Sequence, residues 1–358
     1  MINLDDVLEL VRVDSVSGNE AMLAARVYDE LVANQALDVE RIGDNVVART
    51  TGPHPKRLMV AGHLDTVPGD VRNSRIEGDV LRGLGACDMK ASVAGMLELA
   101  RDATPRPVEV TWVFYAREEI ARSESGLREI AELRPELLVA DAAVLAEPTG
   151  GRVEAGCQGS LHVRVVLRGS RAHTSRPFTG RNALHRLGDL LTRVARYAPR
   201  TVEIDGVSFT EQLQAVRVEG GVANNVVPDA AICVLNHRVA PDRTRDEAVE
   251  WLRHYLHECV SEGDEVEILE WAPSARPSLD NAELHRLVEL SGATPRAKVG
   301  WTDVATFHEL AVPATNFGAG DPLLAHRNDE SVTLSEVKHF VRVIGDWLGG
   351  TSPRERDD

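Results

Sequence analysis

The sequence contains a histidine and a carboxylate whose spacing suits metal binding. Residues 58–64 form a hydrophobic run typical of a buried strand, and His63 lies in it two residues before Asp65. Residues two apart on an extended backbone point to the same side. His63 could therefore bind a metal ion while Asp65 fixes its tautomer and raises its basicity. One such pair is weak evidence, and an ordinary polar strand end is the alternative.

A second candidate ligand, Asp88, lies near the end of a glycine-rich bend, residues 83–90. A small apolar helix is predicted directly afterwards, so Asp88 could instead be its N-cap residue. The neighbouring Cys87 could be a soft zinc ligand, but a cysteine without partners is more often a small buried apolar residue.

Further acids and a histidine follow apolar runs or lie in glycine-rich sequence. Glu118 and Glu119 come after one apolar run, and Glu147 comes after the next. Adjacent carboxylates at the end of a buried strand are costly unless they bind a cation or one takes a proton. An exposed acidic turn is the alternative. His326 lies far downstream, in a loop rich in glycine.

The elements around these residues alternate between helix and strand up to about residue 150. Residues 20–33 and 91–100 have helical patterns, and the runs 58–64, 108–115 and 142–145 are typical of strands buried on both faces. We predict an α/β fold with a mostly parallel sheet covered by helices. The candidate ligands would then meet at the carboxyl edge of this sheet, where α/β proteins place their sites.

From about residue 160 the pattern changes to that of a second, smaller domain. Its order of strand, helix, strand, strand, helix and strand is the ferredoxin-like βαββαβ unit. The predicted elements are 161–167, 181–197, 211–218, 230–239, 245–260 and 265–271, and helices return at 281–290 and 335–348. We therefore predict a larger domain of residues 1–158 and 273–358, interrupted by an inserted domain of residues 159–272.

The composition indicates a cytoplasmic protein that binds neither nucleic acid nor membrane. The 358 residues include 40 Lys and Arg against 56 Asp and Glu, which gives a net charge of −16. Nucleic acids and anionic membranes would repel a chain with this charge. The N-terminus lacks the features of a signal peptide, and no apolar run approaches the roughly 20 residues of a membrane-spanning helix. Four scattered cysteines indicate reduced thiols.

Taken together and in this order, the five ligand-bearing segments resemble metallopeptidase family M20. Those segments carry His63, Asp88, Glu118 with Glu119, Glu147 and His326. The likeness runs from about Leu8 to the last of these residues, and it implies a centre that holds two zinc ions. In the family pattern Asp88 bridges both ions. His63 and Glu147 complete one site, and Glu119 and His326 complete the other.

The resemblance also implies how catalysis proceeds. Glu118 would be the general base, Asp65 would orient His63, and the peptide bond after Asp88 would be cis. Two dications held by three carboxylates leave about one positive charge for a bridging hydroxide, formed from a water whose pKa falls towards ~7. Glu118 would take a proton as the hydroxide attacks an amide carbon, then deliver it to the leaving amine. Cobalt or manganese could replace zinc, since oxygen and nitrogen ligands also bind them.

In the family the inserted domain is a lid and dimerisation domain. His173 would reach the active site of the partner subunit in a homodimer and help to stabilise the oxyanion; an exposed strand-end histidine is the alternative. Asn224, Asn225 and Arg238 would bind substrate, and the planar fork of arginine suits a carboxylate. A structural salt bridge is the alternative for Arg238.

Gly300 and Thr302 belong to a segment that corresponds to a substrate-lining loop of the family. Trp301 departs from the threonine or serine expected there. Within the family, residues 154–159, 297–304 and 320–326 are most similar to the actinobacterial form of succinyl-diaminopimelate desuccinylase. This implies hydrolysis of a small dicarboxylate amide, N-succinyl-LL-2,6-diaminopimelate, to succinate and LL-2,6-diaminopimelate. Another amidohydrolase, such as acetylornithine deacetylase, aminoacylase or dipeptidase, is the alternative. A metal-free binding or regulatory relative that kept the fold is a third interpretation, and it predicts missing metal ligands or a missing base.

Overall fold

The computed structural model describes residues 2–102, 104–327 and 329–349, and the chain divides into two compact units. Of the described residues, those in 1–156, 277–297 and 303–358 form the larger unit, and those in 157–276 and 298–302 form the smaller unit. The predicted domains placed 298–302 in the larger part. This segment groups with the smaller unit, where the indole Nε1 of Trp301 donates to the carbonyl oxygen of Pro273 at 3.0 Å.

The N-terminal part of the larger unit alternates helices and strands. Its helices are α1 (Leu4–Val11), α2 (Ala21–Val32), α3 (Ala91–Arg101) and α4 (Gly126–Leu133). Its strands are β1 (Leu37–Ile42), β2 (Asn45–Thr50), β3 (Arg57–His63), β4 (Arg75–Glu77), β5 (Val80–Arg82), β6 (Glu109–Tyr115), β7 (Ala142–Leu145) and β8 (Glu154–Ala155). The helices and strands predicted here are confirmed, with small shifts at their ends.

The smaller unit has the predicted βαββαβ order with one added hairpin. Its helices are α5 (Ala183–Ala195) and α6 (Arg245–Leu256). Its strands are β9 (Gly159–Arg168), β10 (Thr201–Ile204), β11 (Val207–Thr210), β12 (Gln212–Gly220), β13 (Ala230–Val239) and β14 (Glu265–Ala272). The main sheet has the order β12–β13–β9–β14 with antiparallel neighbours. The added hairpin, β10–β11, turns at Asp205 and Gly206, both with positive φ. An Asp-Gly pair is a strong hairpin signal, but this hairpin is not among the predicted elements.

The chain then returns to the larger unit. Its remaining helices are α7 (Ala282–Ser291), α8 (Val304–Glu309) and α9 (Leu334–Trp347), and its remaining strands are β15 (Arg296–Ala297), β16 (Ala314–Asn316) and β17 (Ser331–Thr333). Among the described residues, eight strands form the central sheet in the order β1–β2–β6–β3–β7–β16–β8–β15. The central neighbours β6, β3, β7 and β16 pair in parallel. The predicted α/β sheet is therefore confirmed.

The buried strands explain why the sequence revealed the centre of this sheet. Every residue of β6 and β7 is buried, and strands buried on both faces consist of continuous apolar runs.

A separate small sheet, β17–β5–β4, joins the C-terminal part of the chain to the segment just before the glycine-rich bend. All four cysteines are free thiols. None of the helices in the described part of the chain has the length and apolar character needed to span a bilayer.

Candidate metal centre

Neighbouring parallel strands bring the predicted site residues to one edge of the central sheet. Strand β3 ends at His63 and lies between β6 and β7. Glu118 and Glu119 follow β6, and Glu147 follows β7. Because the carboxyl ends of parallel strands meet at the same edge, these side chains emerge side by side. The whole set lies within the larger unit.

Four of the predicted metal ligands form a chain of contacts centred on Asp88. Nε2 of His63 lies 3.1 Å from Oδ1 of Asp88. Nε2 of His326 lies 3.4 Å from Oδ2 of the same carboxylate and 2.8 Å from Oε1 of Glu119. Each oxygen of Asp88 therefore faces a different histidine, as a carboxylate bridging two metal ions requires. Imidazole nitrogens and carboxylate oxygens are ligands that Zn²⁺ takes in proteins, so the donor set fits this metal.

The fifth predicted ligand, Glu147, lies beside this group. In the described part of the chain, the donor atoms of His63, Asp88 and Glu119 lie within 4.8 Å of one another. Glu147 is only 6% exposed, and its negative charge helps to raise the pKa of Glu118. Glu147 is therefore buried and close enough to interact electrostatically with Glu118.

The backbone at Asp88 rules out the alternative interpretation of this residue as a helix cap. Helix α3 begins at Ala91 after Lys90, and no side chain in the described part of the chain caps its N-terminus. The Asp88–Met89 peptide bond is cis, as predicted. Cys87 is fully buried, and burial raises the pKa of its thiol, as does the charge of Glu330. Its Sγ lies 3.6 Å from Oε2 of Glu330, and Cys87 is not in the group of described residues whose donor atoms cluster as metal ligands, so it is a small buried residue here.

The charges of the cluster favour a cation. Burial alone would lower the pKa of His63, but the carboxylates of Asp65 and Asp88 raise it well above its ordinary value. Contacts with Asp88 and Glu119 raise the pKa of His326 to about 10. Both histidines therefore attract protons in the absence of metal, and metal ions would displace those protons on binding.

Asp65 contacts the turn after β6 as well as the ring of His63 that it is predicted to orient. Its Oδ1 accepts from the N–H of Glu118 at 3.0 Å, and its Oδ2 accepts from the N–H of Glu119 at 3.0 Å and from the hydroxyl of Ser17 at 2.7 Å. Nδ1 of His63 lies 3.0 Å from the backbone carbonyl oxygen of Asp65 and 3.5 Å from its Oδ1. The carbonyl is the closer partner of the ring, while the carboxylate fixes the turn that carries Glu118 and Glu119.

Glu118 has the electrostatic surroundings of a proton-transfer group. Burial raises its pKa well above the ordinary value, and the charges of Glu147 and Glu119 raise it further, whereas His63 opposes the shift. A carboxyl group whose pKa is moved upward can take and release a proton closer to neutral pH.

Two buried charged residues of this region were missed by the sequence analysis. Lys90 is fully buried and donates to the carbonyl oxygen of Val13 at 2.7 Å; burial lowers its pKa to about 8. Glu330 is 1% exposed, and burial together with the charge of Asp88 raises its pKa to about 7. Their positions in the sequence could have indicated that they lie near the site. Lys90 follows the candidate ligand Asp88 by two residues, and Glu330 follows the candidate ligand His326 by four residues.

In the smaller unit, His173 lies beside the predicted asparagines on exposed loops. His173, Asn224 and Asn225 are exposed, and the N–H of Thr174 donates to the carbonyl oxygen of Asn225 at 3.1 Å. The N–H of Ser175 donates to Nδ1 of His173 at 3.1 Å. Nδ1 is thus an acceptor, and the neutral ring carries its proton on Nε2.

The other predicted substrate residues also belong to the smaller unit. Arg238 lies on β13, partly buried, and its guanidinium makes no hydrogen bond or ion pair with the described residues. Burial lowers its pKa, and the charge of Glu270 opposes that shift. The structural salt bridge considered as its alternative is therefore not formed here. Thr302 is buried, and its carbonyl oxygen accepts from Sγ of Cys157 at 3.7 Å; Gly300 precedes it in the same segment.

Comparisons with known proteins agree with this geometry. Residues 59–349 match the model of peptidase family M20/M25/M40. A Mycobacterium tuberculosis protein, provisionally named succinyl-diaminopimelate desuccinylase DapE, is 44% identical over 95% of this chain and 96% of its own. The succinyl-diaminopimelate desuccinylase of Corynebacterium glutamicum is 40% identical over 95% of this chain and 94% of its own.

A solved structure supports the same fold. The Bacillus subtilis YXEP protein, described as a dinuclear metal-binding peptidase from family M20, superimposes with a TM-score of 0.72 at 16% identity, covering 96% of each chain. Identity at that level shows the fold alone. The match to the family model covers most of the chain, however. The chain therefore belongs to peptidase family M20/M25/M40 and is a metal-dependent amide hydrolase.

Proposed function

We propose that the chain is a dizinc hydrolase that converts N-succinyl-LL-2,6-diaminopimelate to succinate and LL-2,6-diaminopimelate. The relatives from Mycobacterium tuberculosis and Corynebacterium glutamicum, which carry the name of this activity, support the substrate. The observation that carries the chemistry is the geometry of Asp88, which has one oxygen towards each of two histidines, 3.1 Å from His63 and 3.4 Å from His326.

For the metal ions, we propose the five ligands of the family pattern. One zinc would be held by His63, Asp88 and Glu147, and the other by Asp88, Glu119 and His326. The fit of the donor set to Zn²⁺ and the dinuclear site named for the Bacillus subtilis structure support this assignment. Co²⁺ or Mn²⁺ could substitute. When bound, such ions polarise an amide carbonyl and lower the pKa of a coordinated water.

Glu118 is proposed as the group that moves the proton. Its raised pKa suits a carboxylate that takes a proton from the attacking water and releases it to the leaving amine. Asp65 supports this step by holding the N–H groups of Glu118 and Glu119 at 3.0 Å each. The adjacent glutamates therefore have different proposed tasks: Glu118 transfers the proton, and Glu119 binds metal.

Residues of the smaller unit are proposed to recognise the substrate. Arg238 has no side-chain partner among the described residues, so its fork is available for a substrate carboxylate. We propose that Asn224, Asn225, Gly300 and Thr302 also contact the substrate. The Nε2 proton of His173 suits donation to an oxyanion.

We further propose a homodimer formed through the smaller unit, in which His173 serves the site of the partner. Strand β12 lies at an edge of its sheet in the order of the described strands. It exposes Val216 (58%) and Val218 (52%). An exposed edge with apolar side chains favours pairing with another chain, and a second copy is the partner that the proposal requires.

Comparing two substrates with purified, zinc-loaded full-length protein tests the assignment. We expect kcat/KM for N-succinyl-LL-2,6-diaminopimelate to exceed that for N-acetylornithine by at least ~100-fold, because an unused charged group in the site penalises a substrate that lacks its partner. Release of the free amine measures both reactions. Preference for the acetyl substrate would contradict the proposal.

A further inference from the structure

A buried carboxylate that the proposed mechanism does not use joins the two loops that carry metal ligands. Glu330 is 1% exposed and lies 242 residues from Asp88 along the chain. Its side chain contacts both the bend that carries Asp88 and the loop that carries His326. Any role of Glu330 in holding these two ligands rests on the proposed metal centre.

The two oxygens of Glu330 accept from different loops. Oε2 accepts from the backbone N–H groups of Cys87 at 3.3 Å and Asp88 at 3.4 Å. Oε1 accepts from the backbone N–H of His326 at 3.1 Å. The carboxylate thus links the main chain at Asp88 to the main chain at His326, whose side chains are 3.4 Å apart.

The backbone of Glu330 is anchored to the same bend independently of its side chain. The N–H of Gly83 donates to the carbonyl oxygen of Glu330 at 3.0 Å. The next residue, Ser331, starts β17, which pairs with β5 through Ser331 and Arg82. These bonds fix the position of the Glu330 backbone relative to the bend. They therefore also fix the point from which its side chain extends to the loop of His326.

His326 needs such support because its backbone is strained. Its φ is 63°, in the left-handed region that residues with a Cβ seldom adopt. A conformation of this kind persists only where the surroundings hold it. The hydrogen bond from its own N–H to Glu330 is a direct restraint on that conformation.

The chemistry of the contacts selects a carboxylate. Every backbone group that faces Glu330 here is an N–H donor, so both side-chain oxygens must accept. A glutamine has only one side-chain oxygen, so its NH₂ group would face the N–H donors of one loop. The hydrogen bonds to that loop would then be lost. Placing one more negative charge beside Asp88 is costly in a buried site, and these donors, with a bound cation, compensate for that cost.

We propose that Glu330 is a positioning residue of the metal centre, which holds Asp88 and His326 at the separation that lets them share one metal ion. Its side chain acts through the main chain of both ligands and does not itself touch the metal or the substrate. A residue that only stabilises the fold would affect unfolding without changing the metal affinity of the folded protein.

The test compares Glu330→Gln and Glu330→Asp with a matched control, Glu109→Gln. Glu109 is also a buried carboxylate, 4% exposed, which accepts from the hydroxyl of Thr50 at 2.6 Å and the N–H of His54 at 3.3 Å. It begins β6, at the end of the strand away from the site. Zn²⁺ affinity is measured by chelator competition, Co²⁺ binding by visible absorption, and unfolding of the metal-free proteins by circular dichroism.

We expect both Glu330 variants to bind the weaker metal ion ~10–100-fold less tightly, as is typical when an outer partner of a ligand is lost. Their Co²⁺ spectra should differ from that of the unmutated protein. Glu109→Gln should destabilise the metal-free fold but leave affinity and spectrum unchanged. Parent-like affinity in Glu330→Gln, or an equal loss in Glu109→Gln, would overturn the proposal.

A measurement on the unmutated protein covers the case in which neither Glu330 variant folds. Hydrogen exchange of the metal-free chain should protect the amides of Asp88 and His326 to the same degree, since one carboxylate holds both. Rapid exchange at His326 beside a protected Asp88 would contradict the link. None of these readouts uses the substrate, so failure of the chain to hydrolyse the succinyl compound would count against the proposed function and not against this role.

Discussion

At the scale of single residues, His237 is a buried histidine whose ring has no hydrogen-bond partner among the described residues. It is fully buried and stacks on Trp251 with ring centroids 4.6 Å apart, and neither ring nitrogen is satisfied by the described residues. Burial is the main cause that lowers its pKa, the charge of Glu211 opposes the shift, and Arg243 and Arg200 contribute to it; the resulting pKa is about 4. The folded protein therefore keeps this ring neutral at pH values where an exposed histidine is charged.

This residue should make stability depend on pH. Its pKa is lower in the folded chain, about 4, than the 6.5 of a free histidine, so between pH 6.5 and pH 4 the proton binds mainly to the unfolded state. The free energy of unfolding should fall as the pH drops from 6.5 to 4, by ~3 kcal/mol in all. Urea unfolding of the metal-free protein and of His237→Phe, compared at pH 7 and pH 4.5, measures this contribution as a difference.

The variant should lose much less stability than the unmutated protein between these two pH values. His185→Phe, which changes an exposed histidine on α5, is the control and should behave like the unmutated protein. Equal pH dependence in all three proteins would show that His237 does not stay neutral in the fold.

Single residues also show what the sequence could and could not reveal about the site. His63, Asp88, Glu119 and His326 were predictable because each stands where a strand or a glycine-rich segment ends, and the structure brings them into contact. The role of Glu330 depends on contacts across 242 residues, and no local pattern encodes such a distance. The bonds from Asp65 to the turn after β6 likewise require the pairing of β3 with β6.

At the scale of elements, helices α3 and α9 pack closely at a glycine of α3, which has no side chain to separate them. Helix α3 follows Asp88, and a Cβ at Gly95 would lie 2.7 Å from Cδ1 and 2.9 Å from Cε1 of Phe340, which is fully buried on α9. The close approach of the two helices therefore depends on Gly95. This contact holds the helix that follows the metal-binding bend.

Gly95→Ala should destabilise the protein in spite of the higher helix propensity of alanine. Overpacking against Phe340 should cost ~1–3 kcal/mol, whereas removing a glycine from a helix gains up to ~1 kcal/mol. Gly188→Ala on α5 is the matched control, since a Cβ there meets nothing within 4 Å, and it should be neutral or stabilising. Urea unfolding midpoints measure both variants, and a Gly95→Ala protein as stable as Gly188→Ala would contradict the packing argument.

Elements were predictable in proportion to their length and burial. The buried strands β3, β6 and β7 stood out as continuous apolar runs, and the amphipathic helices α2, α5 and α9 stood out by their periodicity. Strands as short as Glu154–Ala155 and Arg296–Ala297 are below the length at which a period of two residues can be detected. Their place in the central sheet is set by pairing with distant strands.

At the scale of the whole molecule, the proposed homodimer predicts that two inactive variants restore each other. Glu118→Gln removes the proposed base, and His173→Ala removes the group proposed to act in the partner's site. In a mixed dimer, the chain that carries His173→Ala keeps its own Glu118 and receives an intact His173 from its partner. One working site should therefore form in each mixed dimer.

Equal mixing with free exchange of subunits should give about a quarter of the unmutated activity, because half of the dimers are mixed and each has one working site of two. Steady-state turnover of the remixed proteins, after dissociation and reassembly, measures the recovery. Each variant taken through the same procedure alone is the control. Activity that stays at the level of the single variants would mean that His173 acts within its own chain or has no catalytic role.

The central claim is that two metal ions are held by five ligands while Glu118 moves the proton without binding metal. The zinc content of purified Glu118→Gln protein, measured after gentle removal of loosely bound metal, tests it most directly. The claim predicts two zinc ions per chain, as in the unmutated protein, together with turnover lowered by ~10²–10⁴-fold. Loss of one zinc ion in this variant would contradict it, because Glu118 would then be a metal ligand.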